Sequence, residues 1–287
     1  MPWDIRGKTV LITGATDGIG KAVALELAKQ GAFLVLISRD KARGEKVVKD
    51  LKEKTNNENI EMLVCDLAKL SSVAHCAKEF IQRFKVLNVL IHSAGVLASN
   101  QEENDGIERT MAVNYFAPVL LTEILLPMLK QNIPGRLIFV TSSMHKFGTI
   151  NLEKLEGEMP YDGVKAYSNS KLALMLYAFH LSRVLSDSGI TVSTVHPGWI
   201  RTKLSTSMNE RIGLKQLLNW LLRMRSPARG AESVVYIATA PEAERMNGAY
   251  VIKKHSVDPK PIARDSTLAE VLVTRTRLLL RDYLALR

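Results

Sequence analysis

Short runs of β-branched and aliphatic residues recur along this chain, and each leads through turn chemistry into a helix-periodic stretch. Residues 8–13, 33–38, 60–65, 86–91, 136–141 and 190–195 read as strands, with 248–252 as a last one. A strand apolar on both faces must be covered on both faces, and regular alternation with helices supplies that cover. Five or six such units, without a composition break or internal repeat, predict an α/β fold. The expected form is a single-domain, doubly wound parallel sheet with helices on both faces. Ligands of such sheets bind outside the carboxyl ends of the strands, so the residues at those ends carry the functional reading.

The first strand runs into Gly14-Ala15-Thr16-Asp17-Gly18-Ile19-Gly20 and then into a helix pattern ending at Gly31. Glycines there let backbone approach a pyrophosphate, and the helix N-terminus offers it unpaired N–H groups. In this strand–turn–helix context a dinucleotide site is favoured over an ordinary tight turn. The second strand ends in Ser38-Arg39, about 20 residues on, where an NAD site places a carboxylate on the ribose 2′-hydroxyl. Arginine suits a 2′-phosphate, which favours NADP(H). Asp40 turned inward would favour NAD(H), and Arg39 also reads as a plain surface charge. Asp66, at the third strand end, either accepts from an adenine amine or opens the next turn. The small residues of His92-Ser93-Ala94-Gly95 would let the chain pass close to a flat ring. Asn114 lies within a helical region over 106–131, which solvent exposure or a held water would explain. Ser142-Ser143 and Pro197-Gly198 close the fifth and sixth strands.

Tyr167 and Lys171 are four residues apart at the start of an apolar helical run, so they share a helix face. A free tyrosine has a pKa of about 10, and a neighbouring ammonium favours the phenolate. The pair can act as an acid/base unit on an alcohol oxygen. Alone it is more often a solvated face. Its weight comes from the polar groups gathering at the same sheet edge.

Taken together, Thr13-Gly14-(x)3-Gly18-Ile19-Gly20, Asp66-Leu67, Ala94-Gly95, Asn114, Ser142, Tyr167-(x)3-Lys171 and Pro197-Gly198 resemble the short-chain dehydrogenase/reductase family over about residues 6–255. The 142–167 loop, the Pro160-Tyr161-Asp162-Gly163 lead-in and His196-Pro197-Gly198-Trp199-Ile200-Arg201-Thr202 resemble its retinol-dehydrogenase-like branch. The resemblance implies a Rossmann-type sheet of about seven strands in the order 3-2-1-4-5-6-7. It implies Tyr167 as general acid or base, Lys171 lowering its pKa and holding the nicotinamide ribose, Ser142 (with Ser143 as rival) binding the substrate oxygen, and Asn114 holding a water. The implied cofactor contacts are Gly14, Thr16, Asp17, Gly18, Ile19, Gly20, Arg39, Asp66, Leu67, Ser93, Ala94, Gly95, Tyr167, Lys171, Pro197, Gly198, Ile200 and Thr202. The chain departs from the pattern in two places: His92-Ser93 stands where the family has two asparagines, and Asp17 where many NADP users are neutral or basic.

The chain has 287 residues and a net charge of +10, concentrated beyond residue 200, where 16 basic side chains face 8 acidic ones. That end suits an anionic surface, an acidic partner or a merely basic exterior. Cys65 and Cys76 have neither disulfide nor metal spacing and read as buried thiols of a reducing compartment. No run approaches the ~18 apolar residues of a membrane span, and no leader precedes Pro2-Trp3-Asp4. The expected setting is the cytoplasm, with or without peripheral membrane contact. The six histidines show no metal spacing and are expected in core or surface roles.

Residues 1–255 form the expected catalytic and cofactor-binding domain, with 203–227 covering the substrate and 256–287 as a tail. Both 204–226 and 266–287 are basic and amphipathic. Core packing, substrate cover and lipid contact are open for the first; packing, partner contact and lipid contact for the second. The favoured function is NADP(H)-dependent hydride transfer between nicotinamide and a lipophilic carbonyl or alcohol. A cofactor-binding sensor or scaffold of the same fold, without turnover, is the alternative. A homo-oligomer is compatible with the family; nucleic acid is not an expected partner.

Overall fold

The computed structural model describes residues 3–198, 200 and 226–285. Strands β1 (Thr9–Thr13), β2 (Phe33–Ser38), β3 (Ile60–Val64) and β4 (Val89–His92) alternate with helices α1 (Gly18–Lys29), α2 (Lys41–Thr55) and α3 (Leu70–Arg83). A two-stranded ribbon, β5 (Glu103–Asn104) and β6 (Ile107–Glu108), precedes the long helix α4 (Arg109–Gln131). Then come β7 (Gly135–Val140), α5 (Gly163–Val184), β8 (Ile190–His196), α6 (Pro227–Thr239), β9 (Ala249–Ile252), β10 (His255–Val257), α7 (Ser266–Leu279) and α8 (Arg281–Leu284).

The main sheet has the order β3-β2-β1-β4-β7-β8-β9-β10. The first seven strands pair in parallel and run in the expected order. An eighth, β10, is antiparallel to β9 and was not foreseen. Its turn is Lys253-Lys254, with φ of +50° and +68°. Turns of this kind normally announce themselves through asparagine or glycine, and two lysines gave no such signal.

Successive residues of one strand pack into different layers. Leu11 of β1 faces the layer of α3, α4 and α5; its neighbours Val10 and Ile12 face α1 and α6. In β7, Leu137 and Phe139 take the first side, Ile138 and Val140 the second. This is the doubly covered sheet that continuous apolar strands require.

Three departures matter. The helix expected from residue 106 starts at Arg109, because Asp105-Gly106, both at positive φ, turn β5 back onto β6. Helix α4 is long and apolar enough to span a membrane, although no such run was expected; most of it is buried inside the protein. The tail helix α7 packs against α5, burying Ala269, Leu272 and Val273 in the same core as α4. Tyr115 meets Thr276 at 2.7 Å, and Arg277 reaches the nearly buried Glu123 at 2.9 Å. The 203–225 part of the expected substrate cover lies outside the described residues.

Candidate active site

The glycine-rich turn joins β1 to α1. Asp17 caps α1, its carboxylate accepting from the Gly18 N–H at 2.8 Å. Gly14 has φ +69°, and a Cβ there would stand 2.8 Å from the Ala94 Cα; one on Gly20 would stand 2.3 Å from the Gly14 carbonyl oxygen. Neither position admits a side chain without moving backbone. The Thr13 hydroxyl accepts from the Ser93 and Ala94 N–H groups at 3.0 and 3.1 Å, tying the turn to the loop after β4. Thr13 was quoted only as part of a motif; its role depends on strand neighbours the sequence does not show.

A cavity of about 660 Å³ opens at the carboxyl edge of the sheet. Gly14, Thr16, Asp17, Gly18, Ile19, Gly20, Arg39, Asp66, Leu67, Ser93, Ala94, Gly95, Ser142, Tyr167, Lys171, Pro197, Gly198 and Ile200 all line it. Thr202 lies outside the described residues, and Ser143 opens the short turn 143–147 instead of joining the lining. The residues fit a dinucleotide. The volume lies within the range of small-molecule sites. The cradle between Gly14, Gly20 and Ala94 is one that a Cβ would fill, and the buried Ser93 hydroxyl has no hydrogen-bond partner among the described residues.

At the end of β2, Asp40 lines the cavity together with Arg39. Its carboxylate accepts from the Arg43 N–H at 3.0 Å and caps α2. Arg39 lines the cavity, and so does Arg43, which sequence reasoning passed over. Arg43 sits in the first turn of α2, a position that a helix starting at the same sheet edge could have flagged. Asp66 opens the turn, accepting from the Ala68 N–H at 3.1 Å, and it also lines the cavity.

Asn114 lies behind the cavity wall, in a π-helical turn over Ala112–Phe116, and is fully buried. Solvent exposure therefore does not explain it. Its oxygen accepts from the Val96 N–H at 2.8 Å, and its amide donates to the Val96 carbonyl and the Ser170 hydroxyl at 2.9 and 3.0 Å. A Cβ built on Gly95 would lie 3.5 Å from both the Asn114 oxygen and the Lys171 ammonium, so the three converge.

Lys171 is fully buried, and its ammonium donates to the Val140 carbonyl at 3.2 Å. Burial pushes its pKa down to about 8. It stands 5.7 Å from the centre of the Tyr167 ring. The Tyr167 phenol is not lowered as expected. Burial raises it above its ordinary value, and the Ser142 side chain beside it draws it part of the way back. The Ser142 and Tyr167 side chains both line the cavity. Behind Ser142, the buried His145 ring lies 2.7 Å from the Ser142 carbonyl oxygen.

His92, where an asparagine was expected, stacks on Phe139 with ring centres 5.0 Å apart and bonds Thr122 at 2.8 Å. Burial holds its pKa down at about 3, so it is a neutral core side chain.

The short chain dehydrogenase family model matches residues 8–213. Retinol dehydrogenase 13 of Mus musculus is 38% identical over 279 residues, covering 95% of this chain and 83% of the relative. Polyprenol dehydrogenase of Homo sapiens is 34% identical over 281 residues, covering 94% and 84% respectively. Among solved structures, a short chain dehydrogenase from Burkholderia cenocepacia J2315 in complex with NADP superposes with a TM-score of 0.69 at 25% identity, covering 86% of this chain and 96% of that one.

Proposed function

The chain belongs to the short chain dehydrogenase family, and from that premise we propose that it is an NADP(H)-dependent oxidoreductase acting on a lipophilic aldehyde or ketone, or on the matching alcohol. The observation that carries this reading is the meeting of the Ser142 and Tyr167 side chains beside the Lys171 ammonium, in the cavity lined by the glycine-rich turn.

The nicotinamide, when bound, supplies hydride to the carbonyl carbon or accepts it from the carbinol carbon. The chain's own residues handle the oxygen. Ser142 and Tyr167 donate hydrogen bonds to it, stabilising the negative charge that grows as the carbon is reduced. Tyr167 then gives its proton to that oxygen; in oxidation the same group removes it. A phenol raised by burial stays protonated, the form that donates to the oxygen in reduction. Lys171 holds the nicotinamide ribose, and Asn114, tied to Val96 and Ser170, keeps the wall behind it in place. The glycine-rich turn and the start of α1 receive the pyrophosphate.

Arg39 and Arg43 in the lining support the 2′-phosphorylated cofactor, and Asp40, which shares that lining, has one carboxylate oxygen engaged in capping α2. A lipophilic substrate is supported by the names of the relatives, a retinol and a polyprenol dehydrogenase, and by Val96, Leu97 and Met144 in the same lining. Peripheral membrane contact would suit such a substrate; the tail helix buries Ala269, Leu272 and Val273 but leaves Val271 and Leu278 exposed, and 204–226 is the other candidate.

The test is a panel of retinal, steroid ketones, quinones and medium-chain aldehydes assayed with NADPH and NADH side by side. Turnover of at least one lipophilic carbonyl, faster with NADPH, is expected. Silence across the panel alongside micromolar NADPH binding would favour the non-catalytic sensor instead.

A further inference from the structure

Resting on the NADP(H) reading above, we propose that Asp17 and Arg43 form a cofactor-selecting clasp: the 2′-phosphate of NADP(H) takes Arg43 away from Asp17, whereas NAD(H) leaves the pair closed. Asp17 comes from the glycine-rich turn and Arg43 from the first turn of α2, so the pair bridges two elements at the cavity rim. The Arg43 guanidinium donates to the Asp17 carboxylate at 2.7 Å and lies 3.4 Å from the Thr16 carbonyl oxygen. Both side chains line the cavity, as does Arg39 beside them.

Three features make this a latch and not a fixed strut. Both side chains are about half exposed, at 43% and 51%, and an ion pair in that setting is held weakly. A phosphate monoester carries close to two negative charges and three acceptor oxygens, so it outbids a single carboxylate for a guanidinium fork. Asp17 also keeps a second task when the latch opens: its other carboxylate oxygen remains on the Gly18 N–H at the start of α1.

The clasp also gives a reason for an acidic residue in an NADP site. Asp17 holds Arg43 in line with the rim when no phosphate is present, and it neutralises the charge that would otherwise attract any anion. The cost is affinity, since the phosphate must displace it. Selectivity comes from Arg43 and restraint from Asp17.

The experiment measures binding without turnover. Wild type, Arg43→Gln and Asp17→Asn are titrated calorimetrically with adenosine 2′,5′-bisphosphate and with AMP, which present the adenosine ends of NADP and NAD. Asparagine is as good a helix cap as aspartate, so Asp17→Asn preserves the start of α1. Arg43→Gln should reduce the preference for the bisphosphate by about tenfold, the scale of a charge-assisted contact. Asp17→Asn should tighten the bisphosphate by about threefold or more relative to AMP. An unaltered preference in Arg43→Gln, or equal weakening of both ligands in Asp17→Asn, overturns the clasp while a wild-type preference for the bisphosphate leaves the NADP(H) reading standing. A wild type that binds both ligands equally overturns the two together.

Discussion

Lys171 shows how burial sets the chemistry available to one side chain. Among the described residues its ammonium has a single backbone acceptor and no carboxylate partner, so desolvation moves its pKa from 10.5 down to about 8. A cation whose pKa is lowered loses its charge earlier as pH rises. The account needs that charge next to the ribose and the phenol, so kcat/KM for NADPH, which reports the free enzyme, should be level below pH 8. It should fall about tenfold per pH unit above it. A profile that stays level well past pH 8 would contradict the lowered Lys171 ammonium. At this scale the sequence was readable where spacing alone creates a neighbour, as with Tyr167 and Lys171 one turn apart. It was silent where the neighbour comes from another element. Thr13 bonds a loop 80 residues away, and Arg43 reaches across from α2 to the glycine-rich turn. The reversed sign at Tyr167 has the same origin, because the extent of desolvation belongs to the packed molecule and not to a motif.

Among the elements, α4 is where local pattern misled. Asp105-Gly106 is a turn signal inside what the apolar spacing presents as one helix, and the turn won. Glu108 then caps the true start, accepting from the Thr110 and Met111 N–H groups at 2.7 and 2.9 Å. The π-turn around Asn114 had no composition cue, yet it turns a polar side chain inward to meet Val96 and Ser170. The tail helix α7 illustrates the opposite case. Its amphipathic pattern was plain, and the identity of the surface it covers was not. Leu272 is fully buried in the core shared with α4 and α5. Leu272→Ala should therefore cost about 2–5 kcal/mol in chemical denaturation, the range for a buried leucine. Binding to anionic vesicles should not change. A variant with native stability and reduced vesicle binding would make α7 a lipid-seeking element instead.

Across the whole molecule, the architecture was legible because strands apolar on both faces leave few ways to cover them. The parallel order β3-β2-β1-β4-β7-β8-β9 brings every loop after a strand to one edge. That edge gathers residues from 14 to 200 into a single cavity, a convergence the strand ends already implied. The added strand β10 escaped notice, since its lysine turn carries no glycine or asparagine. The identity of the substrate was not legible, because apolar lining residues such as Val96, Leu97 and Met144 suit lipophilic compounds in general and not one of them. The central claim is that one phenol, set against Ser142 and Lys171 at this edge, delivers and removes the proton. It is tested most directly by measuring carbonyl reduction and NADPH binding together in Tyr167→Phe. The account predicts that turnover drops by about 10²–10⁴-fold, the contribution of a positioned acid, while the NADPH dissociation constant stays within about threefold of wild type, because the phenylalanine ring preserves the packing around Lys171. A Tyr167→Phe protein that reduces the same carbonyl at close to the wild-type rate would contradict it.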